Sequence, residues 1–441
     1  MHLFDYFTDP VLRGPTLGCM LMCLAAALVG VALFLRKQSL IGESLSHAAY
    51  PGVMVGILAC GAFSCDSDDW TSPLLILTFA FLFALLGVYL IGFLERRCNM
   101  RSDSALCFIL ASFFGIGITL ASQVQVLMPG LYRQAQSYLY GQAATMTDIY
   151  IAIYGSLSLV VLLAVVYFYK ELKIITFDRQ YARSLGIPVH KIDGLLFVLI
   201  ALAVVIGVRS VGVVLMSAML IAPAAAARQF TNRLSIMFIL ASVLGMTSGF
   251  LGNVLSVEWT ASLTQEDPRI RLILPTGPMI VMVAAFFCVA ALLFAPERGM
   301  VLRLVRSLRF RIQCISENIL KAVWRFGPNQ EASFKKITQF QSGSSLLLGW
   351  VVLNLVRNGW LERTSQKKYR LTQEGSIRAA RIVRLHRLWE LYLVDYLGMG
   401  AERVHRSAEE MEHILTPELE QELTVLLNDP KRDPHHQPIP P

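Results

Sequence analysis

The chain has 441 residues, 55% of them hydrophobic, with 39 Lys and Arg against 31 Asp and Glu. Charge is unevenly divided: residues 1–296 carry 17 basic and 15 acidic side chains, and the remaining 145 residues carry 22 and 16. This excludes a soluble single-domain enzyme, a disordered chain and a secreted disulfide scaffold, and leaves a membrane region followed by a water-soluble one.

About 20 apolar residues cross the hydrocarbon core as a helix. Runs of that kind lie at roughly 16–35, 40–63, 72–94, 104–122, 147–169, 192–208, 210–227, 234–255 and 272–295, which predicts an all-α polytopic domain of about nine transmembrane helices over residues 1–296. No basic stretch precedes the first run, so it reads as a retained span and not a cleaved signal. The 192–227 pair is joined only by Arg209 and Ser210. Alternate linkers are basic (Arg36-Lys37, Glu95 to Arg101, 170–191, Arg228 to Arg233, Arg298 onward) or acidic and polar (Cys65 to Trp70, Gln123 to Tyr140, Glu258 to Asp267). Basic linkers stay in the cytoplasm, which places the N-terminus outside and the C-terminal region inside. Of the eight cysteines, Cys19, Cys23, Cys107 and Cys288 sit in apolar runs as small hydrophobes. Cys60 and Cys65 flank an acidic loop, where a disulfide forms if the loop faces an oxidising compartment.

Polar groups inside apolar runs are costly and mark function. In GESLSHAAYPG (42–52), Glu43 and His47 are four apart, so on a helix they share one face and can bind one cation. Ser44 and Ser46 add hydroxyls, and Pro51-Gly52 predict a helix break near the membrane interior, the kind of interruption that lines transporter cavities. The segment ITFDRQYARSLGIPVHK (175–191) reads as a short capped helix: Asp178 is the N-cap, Ala182 to Leu185 continue the turn, and Gly186 and Pro188 end it. Its position suits docking to a cytoplasmic partner.

Four stretches in this order resemble the permease subunits of zinc/manganese/iron ABC importers. They are Gly-acid-x-x-Ser-His-x-x-x-Pro-Gly at 42–52, Phe-Asp-x-x-x-Ala-x-x-x-Gly at 177–186, IAPAAAAR at 221–228, and LPTGPMIV with APERG at 274–299. The resemblance implies a permease pair, homo- or heterodimeric, served by an extracytoplasmic metal-binding protein and powered by a separate ATPase chain. It implies that Phe177, Asp178, Ala182 and Gly186 touch that ATPase, and that Glu43 and His47 contact the metal in transit. Glu43 stands where Asp is commoner. No Walker motif occurs in the chain, so it holds no ATP site of its own and is not expected to be an enzyme.

Residues 297–315 form a basic linker whose ERGMVLRLVRSLRFRI stretch (297–312) reads as an amphipathic helix on anionic lipid, open to a protease. From Ser316 the pattern turns globular: helices over Glu317 to Trp324, Ala332 to Phe340 and 344–357, then a strand pair, Trp360 to Thr364 and Lys368 to Leu371. This is the outline of a winged helix-turn-helix domain over 316–375. Arg357, Arg363, Lys367, Lys368 and Arg370 suit phosphate contacts. Ser344, Ser345, Asn354 and Arg357 are the polar groups of an otherwise apolar recognition helix. In the α-helical domain over 376–441, His386 and Glu390 are i,i+4, and His405, Glu409, Glu412 and His413 fall on one helical face. Imidazole with carboxylate and no thiolate suits Mn(II) or Fe(II), and Zn(II) also binds such ligands.

HRLWE, VHRSAEEMEH and the closing DPHHQPIP make residues 316–441 resemble diphtheria-toxin-repressor-like, iron- and manganese-dependent transcription repressors. The resemblance implies an ancillary metal site of His386, Glu390 and His405 and a primary site of Glu409, Glu412 and His413. It also implies a homodimer and operator DNA as ligand, with Mn(II) or Fe(II) as corepressor. The first-helix ligand position falls on Asn318, and Lys321 replaces a Glu ligand. The expected protein is an inner-membrane permease for a divalent transition metal fused to a metal-dependent repressor, which is freed by cleavage or an internal translation start in roughly 297–315. Two alternatives are a C-terminal domain that gates transport in cis without touching DNA, and an ion channel without ATP coupling.

Overall fold

The structure is a computed structural model that describes residues 4–62, 70–127, 136, 138–266, 274–327, 331–339, 343–364, 366 and 368–440. Two units emerge, Met1–Leu302 and Arg303–Pro441. Cys65 and Lys367 lie outside the described residues, and with them the proposed Cys60–Cys65 pair and one wing lysine.

A backbone crossing hydrocarbon must satisfy its own amides, and apolar runs of this length do so as helices. After a short α1 (Asp5–Thr8), the first unit contains α2 (Pro10–Leu35), α3 (Ser39–Ala62), α4 (Thr71–Arg97) and α5 (Ser102–Leu127). There follow α6 (Asp148–Tyr167), α7 (Tyr169–Phe177), α8 (Arg179–Ser184), α9 (Val189–Val211), α10 (Met216–Phe230), α11 (Leu234–Glu266) and α12 (Thr276–Phe294). Among the described residues eight helices are long and apolar enough to cross a membrane, one fewer than the nine runs predict. The difference is the 210–227 run. Arg209 and Ser210 are no linker: both are buried inside α9, which ends only at Gly212 (φ +95°). What remains is α10, whose 15 residues span roughly 22 Å, short of a core about 30 Å thick.

The predicted break at Pro51-Gly52 does not occur either, since α3 runs unbroken through Pro51. Proline removes one i→i−4 bond, here to the His47 carbonyl, and neighbouring helices support the rest of the turn.

Helix α2 is the hub of this unit, packing on α6, α9, α10 and α11. Small residues allow the approach. A Cβ placed on Gly30 would lie 1.8 Å from the Leu220 carbonyl oxygen of α10, and one on Gly52 would lie 2.4 Å from the Phe79 oxygen of α4. Two polar contacts tie α2 to its neighbours, Asn253 Nδ2 donating to Thr16 Oγ1 at 2.8 Å and Ser158 Oγ to the Leu21 carbonyl at 2.9 Å.

Helix α13 (Met300–Arg325) contains most of the basic stretch and the first helix expected after it as one element. Residues 300–311 are exposed, and a protease would have to open this helix before cutting it. The second unit continues with β1 (Ala332–Ser333), α14 (Phe334–Gln339), α15 (Ser345–Arg357), β2 (Leu361–Arg363), β3 (Lys368–Leu371), α16 (Gln373–Asp395), α17 (Ala401–Met411) and α18 (Pro417–Leu426). The strands form an antiparallel sheet in the order β1-β3-β2, with Ala332 opposite Tyr369 and Leu361 opposite Leu371. Ile319, Val323, Ile337, Val351, Leu355 and Leu361 close the core beneath it. Thr372 caps α16 by accepting from the Gly375 amide at 3.1 Å and donates to the Gly359 carbonyl at 2.6 Å, which ties the hairpin to that helix. The C-terminal segment folds back on α16, with Arg384 donating to the Pro440 carbonyl at 2.8 Å and Arg387 3.4 Å from Asp433.

The α2–α10 contact yields a prediction. Gly30→Val forces backbone against backbone, and overpacking of this kind costs about 1–3 kcal/mol or more. The variant is expected to give a several-fold lower yield of monodisperse protein in detergent size-exclusion chromatography, and an unchanged yield would refute the close approach.

Candidate metal centres

In the membrane unit, Glu43 and His47 lie one turn apart on α3, on one face. His47 is buried, the edge of Phe114 stands 4.7 Å away, and its Nδ1 has no hydrogen-bond partner among the described residues. Glu43 is half-buried. The two hydroxyls noted in the sequence are taken up by the backbone: Ser44 donates to the Leu106 carbonyl at 3.0 Å and Ser46 to the Glu43 carbonyl at 2.8 Å. The side-chain donors left over on this face are therefore the carboxylate and the imidazole, and Pro51 offers no N–H to the His47 carbonyl.

The short helix at 175–191 forms as its caps require. Asp178 accepts from the Gln180 and Tyr181 amides at 2.9 and 2.8 Å, and Gly186 takes φ +74° at the other end. Ala182 is fully buried, while Phe177, Tyr181 and Leu185 are exposed. The helix is anchored to the span ends by Asp193, which pairs with Arg36 at 2.7 Å and with Arg179 at 3.2 Å. Sequence reasoning missed these anchors, because Arg36 and Asp193 are 157 positions apart.

In the C-terminal unit three donors meet. His386 Nε2 is 3.1 Å from Glu390 Oε1 and 3.0 Å from His405 Nδ1, and that nitrogen is 2.9 Å from the same carboxylate oxygen. Helix periodicity brings His386 and Glu390 to one face of α16, and α17 packs across it to deliver His405. His386 and Glu390 are buried and the His405 side chain is half-exposed. Mutual spacings near 3 Å are those of adjacent ligands on metal–ligand bonds of about 2.1 Å, so the donor set fits a divalent ion. Burial pushes the Glu390 carboxyl up, but hydrogen bonds with His386 and His405 outweigh it and hold the group at about 2. Burial lowers the His386 imidazole, yet the carboxylates of Glu390 and Glu412 raise it overall.

Glu409, Glu412 and His413 do not come together as a second set. Helix α17 closes at Met411 with Glu412 as its C-cap, still in helical conformation with its amide on the Ala408 carbonyl at 3.0 Å, and His413 sits in the turn beyond; both side chains are engaged elsewhere. Glu409 is exposed, 3.5 Å from His405 Nε2. Glu412, wholly buried, receives the Lys321 ammonium on both oxygens at 2.9 and 2.7 Å and lies 2.5 Å from His386 Nδ1. Burial lowers the Lys321 ammonium despite this partner. His413 turns to Glu317, Nδ1 to Oε2 at 2.6 Å. Glu317 was missed in the sequence, although polar Glu317 and Lys321 at i,i+4 inside an otherwise apolar stretch of α13 were a signal. Asn318 is half-buried on the same helix.

Of the expected DNA-contacting groups, Ser344 caps α15, its Oγ accepting from the Leu347 amide at 3.3 Å. Ser345 and Arg357 are exposed and Asn354 is half-buried. Leu346, Trp350 and Leu353 project outward from the same helix, 87%, 52% and 54% exposed. On the hairpin, Arg370 is bonded to Glu362 at 3.0 Å and Lys368 stands 3.4 Å from Glu331.

Residues 8–295 match the ABC 3 transport family, and residues 372–441 match the iron-dependent repressor metal-binding and dimerisation domain. A probable metal transport system membrane protein of Chlamydia trachomatis is 39% identical over 98% of this chain and 97% of its own length. The manganese transport system membrane protein MntC of Bacillus subtilis is 34% identical over 87% of this chain and 84% of its own. Among solved structures, PsaBC from Streptococcus pneumoniae in complex with Fab aligns with TM-score 0.57 at 28% identity, covering 69% of this chain and 98% of that one. The chain thus belongs to the ABC 3 transport family, as a multi-pass membrane protein that carries an iron-dependent-repressor type of metal-binding and dimerisation domain over residues 372–441.

Proposed function

We propose that this chain is the permease subunit of an importer for a divalent transition metal, and that its C-terminal unit is a metal-responsive repressor that binds operator DNA. The observation that carries the reading is the triad of His386, Glu390 and His405, with donor atoms 2.9–3.1 Å apart.

In the membrane unit Glu43 and His47 take the cargo ion from its hydration shell, and the His47 carbonyl offers a third donor. Manganese is the first candidate, on the strength of the relative named for its transport; iron and zinc suit the same donors. Transport draws on a separate ATPase chain that docks on the exposed Phe177, Tyr181 and Leu185, with Asp178, Ala182 and Gly186 shaping the docking helix. Asp193 then passes the motion of that helix to the ends of α2 and α9. A second permease subunit completes the pathway, and an extracytoplasmic metal-binding protein feeds it. Alternating linker charge requires an odd number of crossings to bring the C-terminal unit to the cytoplasm, so α10 with the Gly212–Leu215 turn completes a ninth.

In the repressor, His386, Glu390 and His405 hold the corepressor, Mn(II), Fe(II) or Zn(II), which when bound supplies the charge that ties the carboxylate and both imidazoles together. His386 Nδ1–H, donating to Glu412, leaves the Nε2 lone pair aimed at the triad. Glu409 faces the other nitrogen of His405 at 3.5 Å, a looser contact between two half-exposed side chains. Closure of α17 on α16 then differs between metal-free and metal-loaded states, and that difference couples to DNA. Ser344, Ser345, Asn354, Arg357, Lys367, Lys368 and Arg370 form the DNA-facing set, in a homodimer.

One observation favours a second reading, in which the unit gates transport in cis. Helix α15 presents Leu346, Trp350 and Leu353 to solvent, and Arg370 and Lys368 are already paired with carboxylates.

Two experiments test the proposal. Glu43→Gln with His47→Ala is expected to lower metal uptake by cells more than about tenfold with the same amount of protein in the membrane; unaltered uptake would move the pathway elsewhere. In a mobility-shift assay, residues 303–441 are expected to bind promoter DNA about tenfold or more tightly with Mn(II) than without it, and His405→Ala removes the gain. Absence of any shift with Mn(II), Fe(II) and Zn(II) transfers the assignment to the gating reading.

A further inference from the structure

The second cluster of the C-terminal unit has the composition of a metal site and the contacts of something else. Glu412 is 2% exposed and its carboxylate has no access to water. His386 Nδ1 faces it at 2.5 Å, and His413 Nε2 lies 3.7 Å from its other oxygen. That His413 nitrogen is buried and has no hydrogen-bond partner among the described residues, and Glu317 holds the ring from the opposite side through Nδ1. Such a carboxylate–imidazole arrangement, oriented from behind by a second carboxylate, is how proteins present ligands to a divalent ion. Here, however, a cation is already present. The Lys321 ammonium stands 2.7 and 2.9 Å from the two Glu412 oxygens and 3.1 Å from His386 Nδ1, with its side chain 6% exposed.

We propose that the ammonium of Lys321 is a built-in substitute for a second metal ion, so that the C-terminal unit takes one exchangeable ion per chain, at His386, Glu390 and His405, and Glu412 serves that ion only by orienting His386. The inference rests on the triad reading above. A buried carboxylate requires a compensating charge. A lysine supplies it permanently, by covalent attachment, where a metal would supply it only above a threshold concentration. The polar surroundings of Glu412 are thereby independent of metal supply, and metal response is confined to the half-exposed neighbouring site. The donor vacated by this arrangement is His413 Nε2, which points toward the carboxylate across a gap longer than a hydrogen bond.

Removing the ammonium without replacing it tests the idea. The full chain, purified in detergent, is equilibrated with Mn(II) alone and with Zn(II) alone, and bound metal per chain is measured by elemental analysis after dialysis. Lys321→Ala is expected to bind one ion more than the unmodified chain, and Lys321→Ala with His413→Ala to return to the starting number. Comparing variants cancels any ion held in the membrane unit. A folded Lys321→Ala protein with unchanged stoichiometry overturns the proposal. Should that variant fail to fold, His413→Ala alone decides: an unchanged count supports the proposal, and loss of one ion shows that His413 already binds metal and overturns it. His405→Ala reports separately on the triad, by loss of one ion whether or not Lys321 is present, so failure of the triad and failure of the substitution are distinguishable.

Discussion

A carboxylate withdrawn from water must be answered by a cation or a proton, and the C-terminal unit is organised around how Glu412 and Glu390 are answered. The cost of an unpaired buried charge is several kcal/mol after relaxation, larger than any single apolar contact in the core beneath the sheet. Glu412 is answered by Lys321 from α13, and Glu390 by two imidazoles from α16 and α17. His386 is shared, one nitrogen to each carboxylate. Moving either carboxylate would unsettle the other through this ring, so the three helices α13, α16 and α17 are set by electrostatics as much as by packing.

The membrane unit follows the same constraint under stricter terms. Its helices meet through glycine, with backbone against backbone at Gly30 and Gly52, because apolar side chains gain little by leaving lipid for protein. Two of its charges are met by partners from other segments. Arg209 lies over the ring of Tyr150 at 4.2 Å and against the Tyr138 hydroxyl at 3.2 Å, and Asp193 is bracketed by Arg36 and Arg179. His47 is the contrast, a buried ring whose Nδ1 is left without a partner, and for that reason it stands out as a ligand in waiting.

Much of this was legible in the chain itself, and for identifiable reasons. Long apolar runs have only one stable form in a bilayer, so eight of the nine runs became helices long enough to cross, six near their expected bounds, the 16–35 run beginning earlier at Pro10 and the 234–255 run continuing to Glu266. Caps act over three or four residues, so Asp178 opened a helix where its spacing said it would. The His386–Glu390 pair was readable because both residues lie in the middle of one long helix. Legibility failed where distant segments decide. Whether the 210–227 run crosses depends on where α9 stops, and α9 absorbed Arg209 and Ser210 because tyrosines from elsewhere received the guanidinium. Proline at 51 marks a weak point in an isolated helix, but surrounding helices hold the turn. The strand at Ala332–Ser333 is two residues long and exists only because β3 offers it an edge. The face shared by His405, Glu409, Glu412 and His413 holds as far as the Glu412 cap, but Lys321 and Glu317 from α13 take up Glu412 and His413, and nothing near those residues announces it. That Lys321 would reach Glu412 across 91 positions has no local signal at all.

In the metal-binding reading proposed above, the three donors of the triad differ in their access to solvent, and that difference would set how fast an ion exchanges. His386 and Glu390 are fixed deep against α16, while the His405 side chain is half in water on a separate helix. Departure of an ion therefore begins with this one imidazole swinging outward, and the rest of the fold does not have to loosen first. An occupant held by three immobile donors would outlast the conditions that delivered it. With one hinged arm, a sensor of the kind proposed would keep its occupancy in step with a falling supply and reset without the polypeptide being degraded and made anew.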